Sequence, residues 1–377
     1  MRTGGPEPTS VQGEKNIPLF KETIRLRDEA ARLLGYPSHA AYVLEPTMAK
    51  TPEAVKGLLD DLTARSNRHK DADIARLLER KRTDLEAKGL PFDGEVYEWD
   101  TAYYTRLLAA EELSVDPITI ADYFPLQPTV TAMLDLFGSL FGFVFTQVHE
   151  ADRPRLSPTG RGDDLLWHPD VLMYTVWNAD DVLDGAFVGY LYLDLHPRDG
   201  KYGHAQCHAV QLGYYRPAGA DGKPGKTSYP STSLLANFTA PTADGPSLLR
   251  YGEVTMLFHE LGHGVHDLSG RGRYTRFFGA STVGDFNEAP SQMLENWCHI
   301  PQGLRLFSGH YRTGEKLPED LLAALLASRH TFAATSLLRQ LQMCLFDLTV
   351  HWERDADVQE VYDRFRGLTG IKWDDSA

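Results

Sequence analysis

His259-Glu260-Leu261-Gly262-His263 is the stretch on which the reading of this chain turns. On a helix, the i, i+4 spacing projects two imidazoles from one face, where they can grip a single zinc ion, and the glutamate between them is placed to work on a water. The flanking residues supply the helix. At 100° per residue, Leu257, Phe258, Leu261, Val265 and Leu268 cluster on the side of Val254, while His259, Glu260 and His263 fall opposite, with Asp267 beside them. The pattern predicts a helix from near Tyr251 to Gly270, where glycine suits the C-terminal stop. A His-rich amphipathic surface helix would account for the apolar stripe but not for the pentad.

The bulk properties narrow the partners. A chain of 377 residues has room for two lobes or one large domain. Its formal charge of −14 leaves no basic excess to offset phosphates, so nucleic acid is not an expected partner. Cys207, Cys298 and Cys344 are odd in number and widely spaced, which fits neither a disulfide framework nor a cysteine zinc site and points to a reducing compartment. Met1 to Lys15 carries no apolar signal region, and no apolar run approaches the ~20 residues of a membrane span. A monomeric, soluble cytoplasmic protein without a membrane partner is the expectation.

Along the chain, residues 1–16 are Gly-, Pro- and polar-rich and are expected to be disordered. Residues 17–137 read as a helical region. Ile17 to Leu34 closes at Gly35-Tyr36-Pro37, Thr51-Pro52-Glu53 starts a long charged helix running to Lys88, and another helix covers Asp100 to Leu113. From 138 to 377 the expectation is a catalytic region that opens with a small sheet. Phe141–Phe145, Val171–Val176, Phe187–Leu193 and Thr232–Phe238 read as strands, separated by turn-rich loops at Ala151–Asp164 and Pro217–Ser228. Helices return from Leu248 onward. The fold class is mainly α with a small β-sheet.

A catalytic zinc needs a third protein ligand and an open position. The pattern with a glycine three and a histidine six residues past the second histidine is ruled out by His266 and Ser269. A glutamate from a later helix is the alternative, and Glu288 and Glu295 both qualify, two turns apart on one face. Pro290 suits a first helical turn, which puts Glu288 near the helix start, and the other carboxylate could orient a histidine. Spacing alone leaves the choice open.

The segment His259 to His266, together with Phe286-Asn287-Glu288-Ala289-Pro290-Ser291-Gln292-Met293-Leu294-Glu295-Asn296-Trp297, closely resembles the thimet oligopeptidase (M3) family of zinc endopeptidases. Leu34-Gly35-Tyr36, Met48 to Thr51, Trp99-Asp100, Tyr123-Phe124-Pro125, Asp194-Leu195, Gly200 to Ala205, Ala236-Asn237-Phe238 and His310 to Gly314 look like family segments as well, so the likeness runs from about 15 to 370. It implies His259, His263 and Glu288 as ligands of one zinc, with Glu260 as general base, and leaves Glu295 and Asp267 as supporting candidates. It also implies a zincin-like (gluzincin) catalytic region in a helical two-lobed metallopeptidase, split by a deep channel that admits short unstructured peptides. The strand from Ser233 to Phe238 is a candidate edge for pairing with substrate, with Ala236, Asn237 and Phe238 as contacts; an ordinary core strand is the competing reading.

Family members continue past the equivalent of Gly370 into a Gly- and Tyr-rich loop resembling oxyanion donors, whereas this sequence ends at Lys372-Trp373-Asp374-Asp375-Ser376-Ala377 and begins partway into the pattern. A central piece of the family fold is therefore expected. It would be either an active endopeptidase or a zinc- and peptide-binding remnant that does not hydrolyse. His266 reads as a solvated histidine, His204 as a packing or loop residue, and Cys207, Cys298 and Trp297 as core.

Overall fold

The computed structural model describes residues 10–113, 117–179, 185–218, 225–329 and 331–372. Their contacts divide into two units, one formed by Met1–Ser114 with Ala327–Ala377 and the other by Val115–Leu326.

The first unit is helical: α1 (Ser10–Leu33), α2 (His39–Leu44), α3 (Pro52–Ala87), α4 (Glu98–Leu113), α12 (Ala333–Trp352) and α13 (Val358–Arg366). Thr51 caps α3 by accepting from the Ala54 N–H at 3.2 Å, and Pro52 follows at the first helical position, where a missing N–H costs nothing. Leu338, Leu341, Leu345 and Leu348 form a helical stripe along α12 that packs with Leu59 of α3 and Ala40 of α2. The same helix pair is pinned by Asp73, which accepts from both the backbone N–H and the hydroxyl of Thr335.

This corrects the expected division at residues 137 and 138. The C-terminal helices α12 and α13 belong to the first unit, because the apolar stripe of α12 is buried against Leu59 of α3. Of the segment 1–16 expected to be disordered, residues 1–9 lie outside the described residues, and Ser10–Asn16 form the first turns of α1. By length and composition the stretch Glu319–Trp352 reaches what a membrane span requires, contrary to the expectation. It is divided, however, between α11 (Glu319–Ser328) and α12, with Phe332 in the left-handed region at φ 56°.

The second unit combines α5 (Pro117–Ala121), α6 (Leu126–Phe141), α7 (Arg153–Leu156), α8 (Tyr251–Leu268), α9 (Glu288–Glu295), α10 (Pro301–Phe307) and most of α11 with seven strands among the described residues. These are β1 (Phe143–Gln147), β2 (Leu172–Asn178), β3 (Phe187–Asp194), β4 (Gln206–Gln211), β5 (Tyr214–Arg216), β6 (Lys226–Ser228) and β7 (Ser231–Leu235). The main sheet is ordered β1-β2-β3-β7-β4, and β5 and β6 form a separate hairpin. Pairing is antiparallel except between β3 and β7, which run parallel with Tyr190 opposite Ser231. The result is a mostly helical fold with a small mixed sheet. The strand expected at Phe141–Phe145 starts two residues later, because α6 runs to Phe141 and ends on Gly142 at φ 69°, a conformation glycine adopts without penalty.

Helix α8 lies on this sheet, and its sequence dictates which side faces inward. Val254, Leu257, Phe258, Leu261, Val265 and Leu268 are each at most 2% exposed. Six such side chains contribute about 10 kcal/mol or more of burial free energy at roughly 2 kcal/mol each. Phe258 anchors the helix further, meeting Phe137 edge-to-face at 5.5 Å and Phe307 at 4.8 Å. At the start of α8 the Glu253 carboxylate accepts the Arg250 N–H at 2.7 Å, so an otherwise orphaned donor is satisfied.

Candidate metal centre

With its apolar stripe buried, α8 presents His259 and His263 together on the other side, their rings 5.0 Å apart and nearly perpendicular. Helix α9 delivers Glu288 to them. Its Oε2 stands 3.2 Å from Nε2 of His259 and 3.2 Å from Nε2 of His263. One donor atom from each of the three residues falls within 4.8 Å of the others, the one such cluster of three among the described residues. Two imidazole nitrogens and a carboxylate oxygen are a donor set zinc accepts. At metal–ligand distances near 2.0–2.1 Å, tetrahedral geometry separates donors by roughly 3.3 Å. The 3.2 Å spacings therefore fit a zinc ion with little rearrangement.

Glu295, the last residue of α9, meets the other nitrogen of His259: Nδ1 donates to Oε1 at 2.7 Å. A carboxylate only accepts, so this contact places the proton on Nδ1 and leaves the Nε2 lone pair toward Glu288. The two glutamates that spacing left equivalent are thus separated by geometry.

Glu260 is 9% exposed and lies beside Cys207 of β4, with the Cys207 backbone N–H near its carboxylate. Burial pushes its pKa above the usual carboxylate range, although the two imidazoles and the Cys207 N–H oppose the rise. A carboxyl group held this way is suited to taking and returning a proton.

Gly262, inside the pentad, fixes how the two helices cross. A Cβ at this position would lie 2.7 Å from the Cα of Ser291, closer than real contacts allow. Glycine here lets α9 pass against α8, which brings Glu288 and Glu295 within reach of the imidazoles. Ser291 is fully buried at the crossing, and its hydroxyl is 2.9 Å from the Glu288 carbonyl and 3.0 Å from Glu288 Oε2. In the sequence Ser291 is marked only as a small residue of α9, and the glycine of α8 that it faces was the signal for its role.

Asp267 does not support a histidine. Its Oδ2 accepts from the Thr232 hydroxyl of β7 at 3.2 Å, and its Oδ1 accepts from the Ala280 N–H at 2.9 Å. Gly279, at φ 55°, sits against it with no room for a Cβ. Asp267 therefore ties the end of α8 to the sheet and to the loop that leads to Glu288.

The segment expected to pair with a substrate lies inside the sheet. Strand β7 is flanked by β3 on one side and β4 on the other, so it has no free edge. Ala236 and Phe238 are each 1% exposed, and Asn237 donates to the Tyr202 carbonyl at 3.0 Å. The core reading of this segment is the right one, because β4 adds outside it. Among the described residues β4 is the edge strand beside β7, and its Cys207 lies near Glu260.

His266 is half-buried rather than fully solvated. It packs edge-on to Phe286 at 6.2 Å, its Nδ1 is buried without a hydrogen-bond partner among the described residues, and burial lowers its pKa. The exposed His204 ring lies 5.6 Å from that of Tyr202. Burial pushes the Cys207 thiol up to about 12 and raises Cys298 as well, and Trp297 packs on the core.

Paired imidazoles on one helix, a carboxylate from the next and a buried glutamate between them are an arrangement that metal-dependent hydrolases use. The sequence profile described as Peptidase family M3 matches residues 8–370, and the chain belongs to that family. It is 38% identical to saccharolysin of Saccharomyces cerevisiae over 355 residues, which is 94% of this chain and 48% of that protein. It is 33% identical over 360 residues to a thimet-like oligopeptidase of Dictyostelium discoideum, covering 94% of this chain and 50% of the relative. Oligopeptidase A of Escherichia coli is 32% identical over 343 residues, 91% of this chain and 46% of its own length. The chain thus spans about half the length of these relatives.

Proposed function

We propose that this chain carries a gluzincin-type centre that hydrolyses internal bonds of short, unstructured peptides, with one zinc held by His259, His263 and Glu288. The observation that carries the reading is the convergence of these three donors within 4.8 Å, with Glu260 buried between the histidines. The names of the relatives, among them oligopeptidase A and a thimet-like oligopeptidase, support a peptide substrate of limited length.

When bound, zinc supplies Lewis-acid polarisation of the scissile carbonyl and lowers the pKa of water toward neutrality. The remaining work falls to the chain. Glu295 keeps His259 in the tautomer whose Nε2 lone pair faces the centre. Glu260 receives the proton of the attacking water and returns it to the leaving nitrogen. The free edge of β4 pairs with an extended substrate backbone and holds the scissile bond near Glu260. The cysteines Cys207, Cys298 and Cys344 are all unpaired, in keeping with a reducing, cytoplasmic location.

The test pairs zinc content with turnover of an internally quenched fluorescent oligopeptide, using Glu260→Gln as the control. One zinc per chain with cleavage lost in Glu260→Gln supports the reading. Stoichiometric zinc with no Glu260-dependent cleavage sinks it.

A further inference from the structure

We propose that Ser291 is a positioning residue for the metal centre, its hydroxyl holding the Glu288 carboxylate in the orientation that faces both imidazoles. The inference rests on the metal-centre reading above and adds a residue to it. Three observations converge on this serine. Its side chain is fully buried, so water does not compete for the hydroxyl. The hydroxyl lies 3.0 Å from Glu288 Oε2, the same oxygen that stands 3.2 Å from both Nε2 atoms. Its Cα is fixed by the crossing with α8 at Gly262, so the hydroxyl cannot drift relative to the histidines.

The hydroxyl has one proton and two acceptors in reach, the Glu288 carbonyl at 2.9 Å and the carboxylate at 3.0 Å. The carboxylate is charged and is the stronger acceptor. Glu288 itself is half exposed and sits at the first turn of α9, where its side chain has rotamers pointing to solvent. A buried hydroxyl one turn on selects the inward rotamer. Packing at the crossing demands a small residue, which glycine or alanine would also satisfy; the requirement for a donor is what selects serine.

Ser291→Ala separates the two roles, because it keeps the volume and removes the donor. Zinc chloride is titrated into the metal-free protein in competition with a chromogenic chelator, and thermal unfolding of the metal-free protein is recorded alongside. The expected result is zinc affinity weakened by about 10–100-fold, as for other partners of metal ligands, with the unfolding midpoint unchanged. In a Glu288→Ala background, adding Ser291→Ala should change zinc affinity no further. Wild-type affinity in Ser291→Ala, or an equal loss in both backgrounds, overturns the proposal. His263→Ala keeps the two readings apart. If it leaves zinc binding intact, the metal-centre assignment falls and the inference with it; if it abolishes binding while Ser291→Ala does nothing, the inference alone fails.

Discussion

Replacing Gly262 by alanine tests whether the crossing of α8 and α9 sets the metal centre. The added methyl would start 2.7 Å from Ser291 Cα and 3.4 Å from Leu294 Cδ1. Ordinary carbon–carbon contact lies near 3.5–4.0 Å, so α9 must retreat by about 1 Å. A backbone atom is the obstacle, and rotation of a side chain cannot relieve it. Overpacking of this kind costs about 1–3 kcal/mol, while alanine gains about 1 kcal/mol over glycine in a helix interior. The net destabilisation is then about 0–2 kcal/mol, a fall of a few degrees in the unfolding midpoint. The functional cost is larger. Glu288 and Glu295 both ride on α9, and a 1 Å misplacement at a reacting centre costs on the order of 100-fold. Calorimetry should thus find a nearly intact protein, while kcat/KM on an oligopeptide falls about 100-fold and zinc binds more weakly. A Gly262→Ala protein with wild-type turnover and zinc affinity would refute the claim that this contact positions the ligands.

Other perturbations separate the remaining parts. Glu288→Ala should weaken zinc binding far more than Glu295→Ala, whose loss should stay near 10–100-fold; equal losses measured by chelator competition would reverse the assigned roles. Asp194 is buried, which by itself would raise its pKa, but hydrogen bonds from Arg198, Lys201 and Trp167 overcome this and hold it well below the usual carboxylate range. With the folded value depressed, its contribution is fully present above the unfolded pKa near 4 and is lost as pH falls through the folded value. Urea unfolding between pH 5 and 2 should show stability dropping with acid, and a flat profile would contradict the assignment. Lys201→Met removes one of the two cations that hold buried Asp194 and leaves the Arg198 pair in place, so it should cost about 1.5–3 kcal/mol, read from the urea midpoint. Iodoacetamide at pH 8 should spare Cys207 and Cys298 in the folded protein, since burial keeps both thiols protonated; rapid labelling of either would contradict that.

The sequence disclosed the parts of the site that are local. The apolar stripe and the cap residues bounded α8 to within two residues, and the i, i+4 histidines named the metal-binding face. Spacing could not tell Glu288 from Glu295, because seven residues on a helix return to nearly the same direction, and only the family resemblance separated them in the sequence. Only the height of α9 relative to α8 decides which imidazole nitrogen each one meets. Strand β4 escaped notice because Gln206, His208 and Gln211 interrupt any apolar alternation, as an edge strand tolerates. Without β4, the apolar run at Ser233–Phe238 was open to reading as an edge. The unit boundary was illegible for a different reason: the pairing of α3 with α12 joins residues some 260 positions apart, and nothing near either helix announces its partner.

That long-range pairing also orders events during synthesis. The unit from Val115 to Leu326 is continuous, so its sheet and the α8–α9 pair can condense once that stretch has left the ribosome. Helix α3 emerges far earlier but lacks its packing face until Ala333–Trp352 has been made, some 250 residues later. At about 5–20 residues per second, α3 waits on the order of tens of seconds with Leu59 uncovered by α12. The unit from Val115 to Leu326 can therefore close before the helical unit, whose two halves flank it in the chain.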